Sequence, residues 1–313
     1  MPLDQNSTLL SRFGDRLFLT DAGIETDLIF HHGLDLPHFA SFPLLRSMAG
    51  RQALERYFTG FLDEAAALDL GFVLDTVTWR ASVGWGERMG WTAEDIDDVN
   101  REAVALARHL RDGRPGGDIV INGVVGPHGD AYAPATMLSA DAAETYHRRQ
   151  IAVLAEAGAE MISAMTISST GEAVGIAKAA RKVGVPVVLS FTVETDGRLN
   201  GGLPLAEAIA ATDDATAGYP AWYGINCAHP DHFATELSGD LAARIGSVRA
   251  NASRLSHAEL DDATELDAGD PAELAQDYVR LRQLVPGLRV LGGCCGTDLR
   301  HVSAIGRRFS HRL

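Results

Sequence analysis

Cysteine is scarce in this chain: three residues in 313. An odd number that small excludes a disulfide framework, so whatever value these residues have is chemical. Long apolar runs are missing as well, and no stretch reaches the length needed to span a bilayer. The first residues, Met1 to Ser7, show no basic segment followed by an apolar one, so a cytoplasmic location is expected. Positive charge is in deficit, with 27 Lys and Arg against 42 Asp and Glu and a net charge of -15. Such a surface repels phosphate backbones and anionic lipid, which argues against nucleic-acid and membrane partners and for small molecules. A homo-oligomer is compatible with the sequence.

What is present is an alternation. Short apolar, β-branched runs at 17–22, 71–76, 118–125, 161–166, 185–192, 222–227, 244–250 and 289–294 alternate with longer segments of helical period. Thr92 and Asp95 form a capping signature before Ile96, Val99, Ala103, Leu106 and Leu110, which share one helical face. Ser139 opens a second helix that Gly158 ends, and Asp270-Pro271 opens a third. Eight βα units without a linker or a compositional break predict a single (β/α)8 barrel over residues 1–313; an open doubly wound sheet shares the local pattern. The acidic stretch 257–270 reads as a solvated loop without a chemical role.

In a parallel barrel, catalytic groups gather where strands end. The predicted ends carry Asp21, Asp75-Thr76, Gly126-Pro127, Met165-Thr166, Ser190, Asn226-Cys227, Asn251 and Cys294-Cys295. All three cysteines therefore fall on one rim. Three thiolates fill three of the four tetrahedral positions of Zn2+ and leave one for a substrate, which is the pattern of a catalytic site. Neighbouring strand residues face opposite ways, so Cys294 and Cys295 reach one ion only if the chain turns there. Gly292, Gly293 and Gly296 supply that freedom. The bland alternative is buried apolar cysteine beside a glycine-rich turn. A metal that strips the proton from a bound thiol matches alkyl transfer to sulfur.

Gly224-Ile225-Asn226-Cys227 and Gly292-Gly293-Cys294-Cys295-Gly296-Thr297 together resemble the zinc motifs of the homocysteine S-methyltransferase family. Asp21-Ala22-Gly23 with Thr26, Thr76-Val77-Thr78, Gly126-Pro127-His128-Gly129 and Ser190-Phe191-Thr192 are similar to its other strand-end elements, in order along the chain. The resemblance implies zinc on Cys227, Cys294 and Cys295. It also implies an acceptor pocket shaped by Asp21, Gly23, Thr26, Thr76, Thr78, Ser190 and Asn226, with methyl transfer from a small sulfonium or ammonium donor such as S-methylmethionine to homocysteine.

Two positions depart from the family. Met165 stands where the family has a glutamate expected to grip the acceptor's amino group, so either another acid such as Asp75 or Glu25 replaces it or the acceptor is a different thiol. Trp79-Arg80 replaces a smaller aromatic and an uncharged residue; Arg80 is either a carboxylate binder or a surface arginine. A demethylase, and a vicinal-cysteine redox or metal sensor without turnover, are the rival readings. His229 reads as a solvated or capping loop residue, His31-His32 as a surface turn, and Trp222 and Tyr223 as packing.

Overall fold

The computed structural model describes residues 5–132 and 137–310. Eight parallel strands close on themselves in sequence order: β1 (Phe18–Leu19), β2 (Gly71–Asp75), β3 (Ile119–Val125), β4 (Met161–Ile167), β5 (Val187–Phe191), β6 (Trp222–Asn226), β7 (Ile245–Ala250) and β8 (Val290–Gly293). This is the (β/α)8 barrel. β8 returns to β1 through Phe18 beside Val290 and Leu19 beside Leu291, which excludes the open sheet. The first strand is regular over two residues, not the six of run 17–22, because after Thr20 the chain turns inward and the Gly23 N–H bonds the Thr297 carbonyl.

Strand alternation sorts the side chains into layers. Phe18, Val73, Val120, Met161, Val188, Trp222 and Val290 form an apolar floor inside the barrel. Phe13, on the helix Gln5–Phe13, closes that floor from below, its ring 4.3 Å from Phe18 and 5.1 Å from Trp222. Two residues further along their strands, Asp75, Asn122, Ser163 and Ser190 are buried and polar. The apolar floor thus fixes the bottom of the barrel, and polarity rises toward the ends of the strands. Tyr223 packs outward with the helices while Trp222 belongs to the floor.

The helices form where their signals predict. Ala93–Asp112 starts in a capping box made by Thr92 and Asp95, Ala140–Ala157 starts at Ser139 and ends at left-handed Gly158, and Pro271–Leu284 starts at Asp270. The last of these carries a buried hydroxyl that holds the site in register: Tyr278 donates to the Gly292 carbonyl (2.5 Å) and accepts from the Ala250 N–H (3.0 Å). Tyr278→Phe leaves those groups of β7 and β8 without that partner, and should lower unfolding free energy in urea by about 1–3 kcal/mol. The 257–270 stretch is not a plain solvated loop. Its first part is the short helix His257–Asp261, started by a Ser256–Glu259 capping box.

Candidate metal and acceptor site

Three chain segments bring the sulfurs together. Cys227 follows β6 in a left-handed conformation (φ 55°), and Thr166 opposite it, on β4, is left-handed too (φ 63°). Asn226 ties its own strand end to the Thr166 turn. Its Oδ1 accepts the Thr166 N–H and its Nδ2 donates to the Thr166 hydroxyl, each at 2.8 Å. The amide is therefore consumed in tying the end of β6, next to Cys227, to Thr166, although Asn226 also borders the cavity above. Cys294 and Cys295 lie in the turn after β8, where Gly296 is left-handed (φ 78°) and Gly292 packs so close to Thr20 that a Cβ would sit 1.9 Å from its hydroxyl. The Thr297 hydroxyl (2.6 Å) and N–H (3.1 Å) both bond the Cys294 carbonyl, fixing that turn.

The result is a triad of free cysteines whose sulfurs lie within 4.8 Å of one another, Cys227 and Cys295 being 3.8 Å apart. Hydrogen bonds from Cys294 and Cys295 hold Cys227 well below the usual thiol range. Donation to Cys227 pushes Cys294 up to about 12. The cluster stabilises one thiolate strongly, and a cation is what would let all three ionise.

Beside the sulfurs lies a charged cluster with one member that the strand pattern concealed. Arg249, inward-facing on β7, bonds Asp21 Oδ1 (2.6 Å), the Asp75 carboxylate and the Gly293 carbonyl (3.0 Å). The remaining oxygens are taken as well. Tyr57 donates to Asp21 Oδ2 (3.1 Å) and Asn122 to Asp75 Oδ1 (2.6 Å). Burial, opposed by Arg249 and reinforced by Asp75, pushes Asp21 up to about 7. Burial pulls Arg249 down, but the two carboxylates outweigh it and hold the guanidinium charged. The local signal for Arg249 is a charged residue inside β7, on the same strand face as Ser247.

Above both clusters opens a cavity of about 300 Å³. It is bordered by Asp21, Gly23, Thr26, Thr76, Asn226 and the three cysteines, together with Arg249, Glu25, Met165, Arg80 and Tyr132. Thr78 and Ser190 lie outside this lining. Thr78 is fully buried and donates to the Val124 carbonyl (2.6 Å), and Ser190 sits one layer down, against the bare face of Gly224. Thr26 acts on the frame of the site: its hydroxyl donates to the Gly23 carbonyl (2.9 Å) and accepts from the Gly296 N–H (3.3 Å).

The surface reading of Arg80 is corrected by its burial. Only 8% exposed, its guanidinium lies between the rings of Trp79 (4.0 Å) and Trp85 (3.7 Å). His229 is also buried, not solvated; it caps a short helix by accepting the Asp231 N–H through Nδ1 (3.2 Å). His31 and His32 are exposed. His257, in the stretch read as having no role, donates from Nε2 to the Cys227 carbonyl (2.6 Å), and the Tyr132 ring packs against it at a tilt of 37°, 4.1 Å between centroids. No helix among the described residues is long and apolar enough to cross a membrane.

Known proteins share this framework. A homocysteine S-methyltransferase of Escherichia coli (strain K12) is 25% identical over 238 residues, 70% of this chain and 75% of that protein. A selenocysteine Se-methyltransferase of Brassica oleracea var. italica is 24% identical over 325 residues, 94% of this chain and 89% of that protein. Among solved structures, the metallated form of the E. coli homocysteine methyltransferase MmuM superposes with a TM-score of 0.75 at 21% identity, covering 97% of this chain and 99% of that one. Its oxidized form gives 0.76 at 22% identity, with the same coverage. These likenesses show the fold. The family model for homocysteine S-methyltransferase matches residues 18–309, nearly the whole chain, and the protein belongs to that family of methyl-transferring enzymes.

Proposed function

We propose that this protein methylates homocysteine with S-methylmethionine as donor, and that Cys227, Cys294 and Cys295 hold the zinc ion on which the acceptor thiol binds. The reading rests on the convergence of the three sulfurs on one rim. Tetrahedral zinc with sulfur ligands at about 2.3 Å requires sulfurs about 3.8 Å apart, and the Cys227 and Cys295 sulfurs stand at that separation. When bound, the ion would lower the thiol pKa of the acceptor and so keep its sulfur a thiolate at neutral pH.

The chain's own residues then do four things. The cysteines give up their protons to become ligands, so occupancy should fall in acid. Asn226 ties the strand end before Cys227 to Thr166, and His257 bonds the Cys227 carbonyl. Phe39, Phe58, Val77 and Met165 line the cavity with apolar surface that keeps water from competing for the methyl group. The wall also positions the donor so that the new S–CH3 bond forms as the sulfonium's S–CH3 bond breaks and neutral methionine departs.

Residues 1–313 act in this reading as one domain, in the cytoplasm, where a reducing environment keeps the three thiols free. Mixing the purified protein with homocysteine and S-methylmethionine should yield two methionines per turnover, and prolonged chelation should abolish it until zinc is restored. Methionine formation that survives complete removal of metal would refute the proposal.

A further inference from the structure

The proposed acceptor presents an ammonium and a carboxylate as well as a thiol, and most polar groups of the cavity are already committed. Both oxygens of Asp21 and both of Asp75 have partners, and Arg249 is matched to those two acids. The Asn226 amide is spent on Thr166. Of the charged side chains that remain in the lining, Asp130 and Asp261 are exposed at its edge, and Glu25 and Arg80 are the two set into the wall.

The first is Glu25, in the short helical turn Ile24–Thr26 after β1. Ser41 donates to its Oε1 (2.9 Å), and it makes no ion pair among the described residues. It is partly buried on the cavity wall, close enough to Cys294 and Asp21 to feel both. Arg80, across the cavity wall, is near enough to feel its charge but makes no ion pair with it, and a carboxylate held there without a bonded cation is a receptor for one. The second is Arg80. Its two faces are covered by Trp79 and Trp85, one Nη bonds the Gly129 carbonyl (3.2 Å), and its buried Nε has no hydrogen-bond partner. A guanidinium fixed in its plane, with an unsatisfied edge, suits a planar carboxylate. Asp130 also acts on Arg80, but it is exposed, and its Oδ1 accepts the Tyr132 N–H (2.9 Å).

We infer that Glu25 and Arg80 are the specificity residues of this cavity and form a clamp for a zwitterionic α-amino-acid head, Glu25 taking the ammonium and Arg80 the carboxylate. This rests on the proposed reaction for the identity of the acceptor, but not for the existence of the clamp. It gives the Met165 position a compensation, because the anion sits in the turn after the first strand instead of on the fourth strand.

The test measures binding of three thiols to the full-length protein by calorimetry: homocysteine, 4-mercaptobutanoate, which lacks the ammonium, and 3-aminopropane-1-thiol, which lacks the carboxylate. All three keep the sulfur, so differences report on the head group. Glu25→Gln should weaken homocysteine and the aminothiol by about tenfold or more while moving mercaptobutanoate by less than about twofold. Arg80→Met should do the reverse, weakening homocysteine and mercaptobutanoate and sparing the aminothiol. The spared ligand shows in each case that the variant is folded. If either variant leaves homocysteine binding unchanged, or weakens all three thiols alike, the clamp is wrong. Methyl transfer is assayed separately. Transfer without this crossed pattern would overturn the clamp and keep the reaction, and the crossed pattern without transfer would keep the clamp and overturn the reaction.

Discussion

Cys295→Ser is expected to release the metal and to lower methyl transfer by more than the roughly 100-fold that losing an outer partner of a ligand costs. The serine hydroxyl is nearly isosteric but keeps its proton at neutral pH, so it replaces a thiolate by a weak neutral donor. The rest of the site should survive, because the turn is held by backbone and neighbouring groups: the Ala252 N–H on the Cys295 carbonyl (3.1 Å), Thr297 on the Cys294 carbonyl, and left-handed Gly296. Metal content per chain and circular dichroism separate the outcomes. An unfolded variant would show that the sulfur is structural, whereas a folded, metal-free and inactive one fits a ligand. Retained stoichiometric metal with full activity would remove Cys295 from the ligand set.

Arg249→Met should be the most destabilising single change at the site. Removing one partner of a buried ion cluster leaves the others uncompensated, at a cost of about 3–5 kcal/mol. Here Asp21 and Asp75 would face each other within the barrel, each having lost its bond to Arg249. The pH dependence has a definite sign. Asp21 is already raised to about 7 in the folded protein, above the ordinary aspartate value of about 3.9, so the folded state binds more protons than the unfolded one between those values. Its ionisation therefore costs stability at pH 8, and that cost is relieved as pH falls through 7 toward 4. Loss of Arg249 should enlarge the effect. Urea unfolding at pH 5 and pH 8 should show the variant disproportionately weak at pH 8, and Asp21→Asn in the same chain should restore part of the loss. Equal destabilisation at both pH values would mean that Arg249 acts through packing alone.

Much of the architecture was legible because it is periodic. Eight apolar runs spaced by amphipathic segments specify a parallel sheet of eight strands, whose closure is shown by the pairing of β8 with β1, and the caps at Thr92, Ser139 and Asp270 mark real helix starts. The sulfur site was legible for a different reason: strand ends define a rim, and all three cysteines fall on it. Arg249, Tyr57, Tyr132 and His257 were not legible as site members. Their contacts to Asp21, Asp75 and Cys227 join residues distant in the chain, and no local pattern encodes such pairings. Thr78 and Ser190 show the converse. Each sits near a strand end beside other site residues, yet strand alternation and the depth of the layer turn them into the frame and away from the cavity. Arg80 could not be placed from sequence, because its burial depends on Trp85, five residues on, folding back to cover the other face of the guanidinium.

The most direct measurement is zinc K-edge X-ray absorption on the purified protein, before and after homocysteine is added. Three sulfur neighbours at about 2.3 Å are expected in the resting protein, and a fourth at the same distance once the acceptor binds. A sulfur count that stays at three with saturating homocysteine would contradict that expectation, since the thiol would then be bound somewhere other than the metal.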